Sequence, residues 1–321
     1  MKVLVSLYIP QLGIDMLKAH PELEVTVWDK NRLMTREELL SQAKDYDILL
    51  TSSNYVIDEE FVQKCPSIKM ISTFSVGYDN VNIALLNKHD IPFGNAPGAM
   101  TDATADVAFG LMIAVCRKMF YMYNMIPNDN WNILMPRANL GQEPKGKTLG
   151  ILGMGKIGME MARRCKGAYD MDIYYHNRNR NPEAEKELDA KYVSFDELLK
   201  VSDIISAHCA LTPETKGIFN KEAFQKMKSS AIFINTARGG VHNETNLIDA
   251  LNSQEIWGAG LDVTNPEPMK ADNPLLFMEN VCVLPHIGSA TVKARDEMAR
   301  LAALNIIQFA NGEEITNRVL K

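Results

Sequence analysis

Short apolar runs alternate with amphipathic stretches along almost the whole chain. Residues 3–7, 24–27, 48–51 and 70–74 read as strands, and 12–19, 36–43 and 59–64 between them carry helical spacing. A second series begins at Thr148, with strands predicted at 148–152, 173–175, 204–207, 231–235, 257–261 and 281–284. Its helices are expected to start near Ile157, Pro182, Phe195, Lys221, Glu244 and Thr291. Apolar strands that each lead into a helix bury both faces in a parallel sheet. Ser194, with Glu197 three residues on, has capping-box spacing and fixes one helix start. Between the series, 101–119 is rich in Ala, Leu and Met and reads as one interdomain helix. Residues 124–146 follow with three prolines, two glycines and little periodicity. So long an irregular excursion predicts a surface or subunit-contact loop.

A chain of 321 residues is too long for one compact core and suits two domains. Lys and Arg number 34 against 40 Asp and Glu, a net charge of −6. That balance argues against a nucleic-acid partner. The five cysteines, Cys65, Cys116, Cys165, Cys209 and Cys282, are odd in number and lack paired spacing. They suggest neither a disulfide framework nor a zinc or other metal site, and a reducing cytoplasm is the expected location. Residues 1–7 read as a buried strand that Pro10 ends too early for a secretory segment. The longest apolar stretch, 107–116, is about half of what a membrane crossing needs.

Candidate chemistry starts at Gly153-Met154-Gly155-Lys156-Ile157-Gly158. The motif follows a predicted strand and opens a helix, the context a dinucleotide fingerprint requires. Gly153 permits the tight turn, Gly155 lets backbone approach a pyrophosphate, and Gly158 lets the helix pack on the strand. The helix N-terminus then offers free N–H groups to the phosphates. An NAD site usually places an acid at the end of the second strand. Here that strand ends in Tyr174-Tyr175, and His176-Asn177-Arg178-Asn179-Arg180 follows, while Asp170 and Asp172 lie at the wrong end. Arg178, with Asn177 or Arg180 assisting, suits a 2′-phosphate, so NADPH is expected over NADH.

Arg238, Asp262 and His286 each stand just beyond a predicted strand, at the edge where doubly wound sheets bind ligands. Glu267 lies in a Pro266-Glu267-Pro268 frame, and His286 in Pro285-His286-Ile287-Gly288-Ser289. A guanidinium, a carboxylate and an imidazole form a set for reducing a 2-keto acid. Arg238 would pair with the substrate carboxylate, aided by backbone N–H groups at Val76-Gly77, and stabilise developing negative charge. His286 would give its proton to the alkoxide formed as hydride arrives, and Glu267 would keep the imidazole charged. Asp262 is assigned to orienting the ring carboxamide or the site loop.

These segments together resemble the D-isomer-specific 2-hydroxyacid dehydrogenases. The resemblance runs through Ser75-Val76-Gly77-Tyr78-Asp79-Asn80, Asn95-Ala96-Pro97-Gly98-Ala99-Met100-Thr101-Asp102-Ala103-Thr104-Ala105-Asp106 and Gly146-Lys147-Thr148-Leu149-Gly150-Ile151-Leu152-Gly153. It continues through Asn235-Thr236-Ala237-Arg238-Gly239, Gly258-Ala259-Gly260-Leu261-Asp262-Val263 and Pro285-His286-Ile287-Gly288-Ser289-Ala290-Thr291. Pro266-Glu267-Pro268 and Asn177-Arg178 are most similar to the glyoxylate/hydroxypyruvate reductase branch.

The resemblance implies an α/β fold of two doubly wound parallel-sheet domains. A Rossmann-type dinucleotide domain, 99–291, would be inserted in a flavodoxin-like substrate domain made of 1–98 and 292–321. It implies a homodimer, a small 2-keto acid substrate, and catalysis by Arg238, Glu267 and His286. Val76 and Gly77 would bind carboxylate. Thr104, Gly153 to Gly158, Asn177, Arg178, Cys209, Thr236, Ala237, Asp262 and Gly288 would contact NADPH, with NADH possible. Related reductases carry a second tryptophan three residues after the Trp131 position, where this chain has Leu134. Also open are a 2-ketogluconate reductase, an NAD-linked D-lactate or D-glycerate dehydrogenase, and a dinucleotide-sensing, corepressor-like binding protein.

Overall fold

The computed structural model describes residues 1–131 and 136–320. The chain divides into two compact units, Met1–Met100 with Ser289–Lys321, and Thr101–Gly288. In the first unit the order is β1 (Lys2–Val5), α1 (Gln11–Lys18), β2 (Glu24–Val27), α2 (Arg36–Ala43), β3 (Ile48–Thr51), α3 (Glu59–Lys64), β4 (Met70–Thr73), α4 (Ile83–Lys88) and β5 (Phe93–Gly94). The strands pair in parallel in the order β2-β1-β3-β4-β5, the flavodoxin-like arrangement. Ile48, Leu49, Leu50 and Thr51 are all buried, because helices cover both faces of this sheet.

The second unit contains α5 (Thr101–Cys116), α6 (Met119–Met125), β6 (Thr148–Leu152), α7 (Lys156–Tyr169), β7 (Asp172–His176), α8 (Pro182–Leu188), β8 (Lys191–Tyr192) and α9 (Phe195–Val201). It goes on through β9 (Ile204–Ala207), α10 (Lys221–Lys226), β10 (Ile232–Asn235), α11 (Glu244–Asn252), β11 (Gly258–Leu261) and β12 (Val281–Val283). Its seven parallel strands run β8-β7-β6-β9-β10-β11-β12. The order reverses beside β6, so the crevice at the carboxyl ends of β6 and β9 is the topological switch point. Helix α12 (Val292–Ala310) returns to the first unit and buries Ala299, Ala302, Ala303 and Ile306 against Val3 and Val5.

Two features depart from the pattern-based expectation. The helix expected over 101–119 ends at Cys116, Lys118 turns left-handed at φ 51°, and α6 starts a new axis. Helix α5 belongs to the second unit's core, where Ala108, Leu111, Met112 and Val115 are buried, which accounts for its apolar composition. Strands β5 and β8, two residues each, are too short to show periodicity. Among the described residues no helix is long and apolar enough to cross a membrane.

Candidate active site

The glycine motif forms the turn between β6 and α7. Gly153 has φ 98°, and a Cβ there would stand 2.5 Å from the Cys209 backbone nitrogen. A Cβ on Gly158 would stand 2.5 Å from Gly153 O, so helix and strand are in close contact. Gly155 is different: it caps α7 without a side-chain hydrogen bond, and the space where its Cβ would be is open. Thr35, Asp58, Ser194 and Asn243 cap their own helices with side chains. The first-turn N–H groups of Lys156 and Ile157 therefore have no acceptor among the described residues. A bare, positive helix end beside open space fits a pyrophosphate.

The second strand delivers Asn177 to this turn. Its Oδ1 accepts Met154 N at 2.6 Å, while Asn181 Nδ2 donates to Met154 O at 2.9 Å. Asn177 thus holds the glycine turn in place. Arg180 is paired with Glu185 and lies over the Tyr192 ring. Arg178 is exposed at the carboxyl end of β7.

Sequence reasoning missed His208, which bridges two strand ends. One ring nitrogen lies 2.8 Å from Ser206 Oγ and the other 3.3 Å from Thr236 Oγ1. Burial pushes its pKa down to about 4, so it is a neutral linker at pH 7. It fixes Thr236, beside Cys209, at the mouths of β9 and β10.

Arg238 leaves the end of β10 on a loop that Asn235 organises. Asn235 Oδ1 accepts Ala237 N at 2.9 Å, and its Nδ2 donates to Arg238 O at 2.9 Å and to His242 Nδ1 at 3.0 Å. Burial lowers His242 to about 4, so its ring is the neutral acceptor this bond needs. Arg238 Nη1 also donates to Ala237 O at 2.8 Å. A Cβ on Gly239 would stand 1.9 Å from Thr264 O. Only glycine lets the arginine loop lie against the backbone that leads to Glu267.

Asp262, at the end of β11, is buried and accepts Ile287 N at 2.8 Å and Gly288 N at 2.7 Å. Burial raises its carboxyl pKa, opposed by those two bonds and by His286. Thr104 on α5 donates to Gly288 O at 3.0 Å. A Cβ on Gly288 would stand 3.0 Å from Asp262 Oδ2. The carboxylate, the threonine and the missing side chain together fix the loop after β12. That loop presents His286, whose Nδ1 is hydrogen-bonded to Glu267 Oε1, with both side chains 40 % exposed. With the carboxylate accepting from Nδ1–H, Nε2 is the nitrogen free to meet a reacting group. A cavity of about 380 Å³ adjoins the pair, lined also by Thr264, Met269, Leu276 and Leu284.

In the first unit, the loop after β4 has its carbonyls taken up from within. Ala96 N donates to Ser75 O at 2.9 Å, Asn95 Nδ2 to Val76 O at 2.8 Å, and Ser75 Oγ to Gly77 O at 2.7 Å. The Val76 and Gly77 N–H groups have no acceptor among the described residues. This is a small nest of backbone donors suited to an anion. Leu134, the departure noted from related reductases, lies outside the described residues.

Residues 109–288 match the family model described as D-isomer specific 2-hydroxyacid dehydrogenase, NAD binding domain. The chain is 42% identical over 324 residues to a glyoxylate reductase of Thermococcus litoralis, covering 100% of this chain and 97% of that protein. A solved structure from Thermus thermophilus has TM-score 0.92 and 36% identity, over 99% of this chain and 100% of the other. The NADPH-dependent glyoxylate/hydroxypyruvate reductase of Sinorhizobium meliloti, solved in complex with NADP and malonate, has TM-score 0.84 and 26% identity, over 99% and 96% of the two chains. The fold, the bare helix end and these likenesses agree, and the chain belongs to the D-isomer specific 2-hydroxyacid dehydrogenase family, as an enzyme that uses a nicotinamide dinucleotide.

Proposed function

We propose that the protein reduces a short 2-keto acid, glyoxylate or hydroxypyruvate, to the D-2-hydroxy acid, with NADPH as the preferred reductant and as a homodimer in the cytoplasm. The observation that carries this reading is the Glu267–His286 pair, held on a loop that Asp262 and Thr104 fix beside the Arg238 loop. Arg238 pairs with the substrate carboxylate, and its charge opposes the negative charge that grows on the carbonyl oxygen. The N–H groups of Val76 and Gly77 are the carboxylate's backbone donors. His286 gives the proton on Nε2 to that oxygen. Glu267 accepts from Nδ1–H and so fixes the ring's orientation. The reduced cofactor supplies the hydride.

The cofactor residues are assigned by place. Lys156 and Ile157 offer the first-turn N–H groups of α7, with Gly153, Met154, Gly155 and Gly158 shaping the turn. Thr104, Cys209, Thr236, Ala237, Asp262 and Gly288 form or brace the neighbouring strand ends. The absence of an acid at the end of β7, where exposed Arg178 stands, supports a 2′-phosphate. Asn177 assists through its grip on Met154.

Steady-state kinetics with a panel of 2-keto acids, run with NADPH and NADH in parallel, test the reading. The expected result is kcat/KM highest for glyoxylate or hydroxypyruvate, and higher with NADPH than with NADH. A preference for 2-ketogluconate or pyruvate would replace the substrate assignment, and equal use of both coenzymes would remove the 2′-phosphate site. No oxidation of either coenzyme with any acid would remove the function.

A further inference from the structure

Among the described residues, a half-buried cation of the first unit has no anion. Arg295 lies in the first turn of α12, four residues after the capping Thr291. Its guanidinium carbon stands 5.8 Å from the centroid of the Phe74 ring. The side chain is half-buried, and among the described residues it has no hydrogen bond or ion pair. The nearby acid Glu297 is committed to Arg300, at 2.7 Å to two of its nitrogens. A cation at a helix N-terminus also meets the positive end of the helix dipole. Burial alone lowers the Arg295 pKa, with no acid opposing it. A charge placed so unfavourably in the free protein calls for an anion supplied from outside.

Phe74 links that cation to a loop of backbone donors. Its backbone N–H is tied to Thr51 O at 2.7 Å, and it immediately precedes the 75–77 loop whose carbonyls are all satisfied and whose Val76 and Gly77 N–H groups are free. Donors of the nest and the unpartnered guanidinium thus flank one short segment. We infer that Arg295 is a second substrate-anion residue, which works with the Val76–Gly77 nest to bind the carboxylate end of the 2-keto acid. This rests on the reading of the protein as a 2-keto acid reductase, and assigns that site a cation additional to Arg238.

The test compares Arg295→Met and Arg295→Lys with the wild type in the full-length enzyme. Anion binding predicts that KM for the keto acid rises at least tenfold in Arg295→Met, with the KM for NADPH unchanged. Arg295→Lys recovers only part of the loss, because a point charge lacks the fork of a guanidinium. Thermal unfolding should show Arg295→Met as stable as the wild type or more so, since an unpaired charge has been removed. Oxamate, an unreactive mimic of a 2-keto acid, should raise the wild-type Tm and fail to raise that of Arg295→Met. A KM that stays put while Tm falls would make Arg295 a packing residue and overturn the inference, leaving the reductase reading intact. A wild type that reduces no keto acid would instead remove that reading and this inference with it.

Discussion

His286 has φ 54°, in the left-handed region that a residue with a Cβ enters at a cost of order 1 kcal/mol. The Asp262 carboxylate and the Thr104 hydroxyl hold the adjoining Ile287 and Gly288 and so sustain that conformation. The backbone is bent to aim one imidazole. Substituting His286→Gln keeps a hydrogen-bonding side chain for Glu267 but removes the titrating ring. Loss of a general acid costs about 10²–10⁴ in kcat, whereas NADPH affinity, measured by quenching of protein fluorescence, should stay within about threefold because the pyrophosphate turn is untouched. A weakened NADPH affinity with kcat preserved would make the histidine structural. At this scale the candidate set of Arg238, Glu267 and His286 can be picked out in the sequence because their types belong together chemically and each follows a strand, and the structure pairs the last two. Arg295 is not, because within a helical pattern it reads as one more surface cation. Its significance depends on Phe74, far away in the chain. His242 is equally silent, since only the fold brings its Nδ1 to Asn235.

Strand ends, more than the strands themselves, build this site. The loop after β10 touches the loop after β11 where Gly239 meets Thr264 O, and Thr264 Oγ1 donates to Pro266 O at 2.9 Å, one residue before Glu267. Arg238 and Glu267 are thus set by the same backbone contact. Gly239→Ala puts a methyl 1.9 Å from a carbonyl oxygen, a distance no rotamer can relieve. The loops must part, and a misplacement of about 1 Å can cost about 10² in rate. The expected outcome is a kcat/KM lower by roughly that factor with an unchanged circular dichroism spectrum, because β10 and β11 pair upstream of the contact. Full activity would show that the loops separate freely and that their contact does not set the arginine. All strands but the two-residue β5 and β8, and most helix starts, could be read from sequence, because strands buried on both faces are apolar throughout and most helices open on a polar cap. The break at Lys118 could not be read either, because the helical pattern continues through Met119 and only the left-handed turn shows that the axis changes.

Helix α6 packs Phe120 against the core of the second unit, yet Met119, Tyr121 and Tyr123 stand exposed. Helix α6 reads Met-Phe-Tyr-Met-Tyr-Asn-Met and has no buried residue. Tyr123 is 70% exposed, Trp131 73%, and Ile126 and Leu140 are also open. So many open apolar side chains among the described residues of this excursion suit an interaction surface, and in the proposed homodimer a second copy of this chain covers it. In a symmetric pair each residue acts twice, so Tyr123→Asp should remove an aromatic anchor of about 2 kcal/mol on both copies. The sum, about 4 kcal/mol, weakens association roughly a thousandfold. Sedimentation equilibrium at micromolar concentration should give twice the 35.9 kDa chain mass for the wild type and a single chain mass for Tyr123→Asp. Wild-type protein at the single-chain mass, or a variant that still pairs, would mean that this excursion faces something other than its own copy.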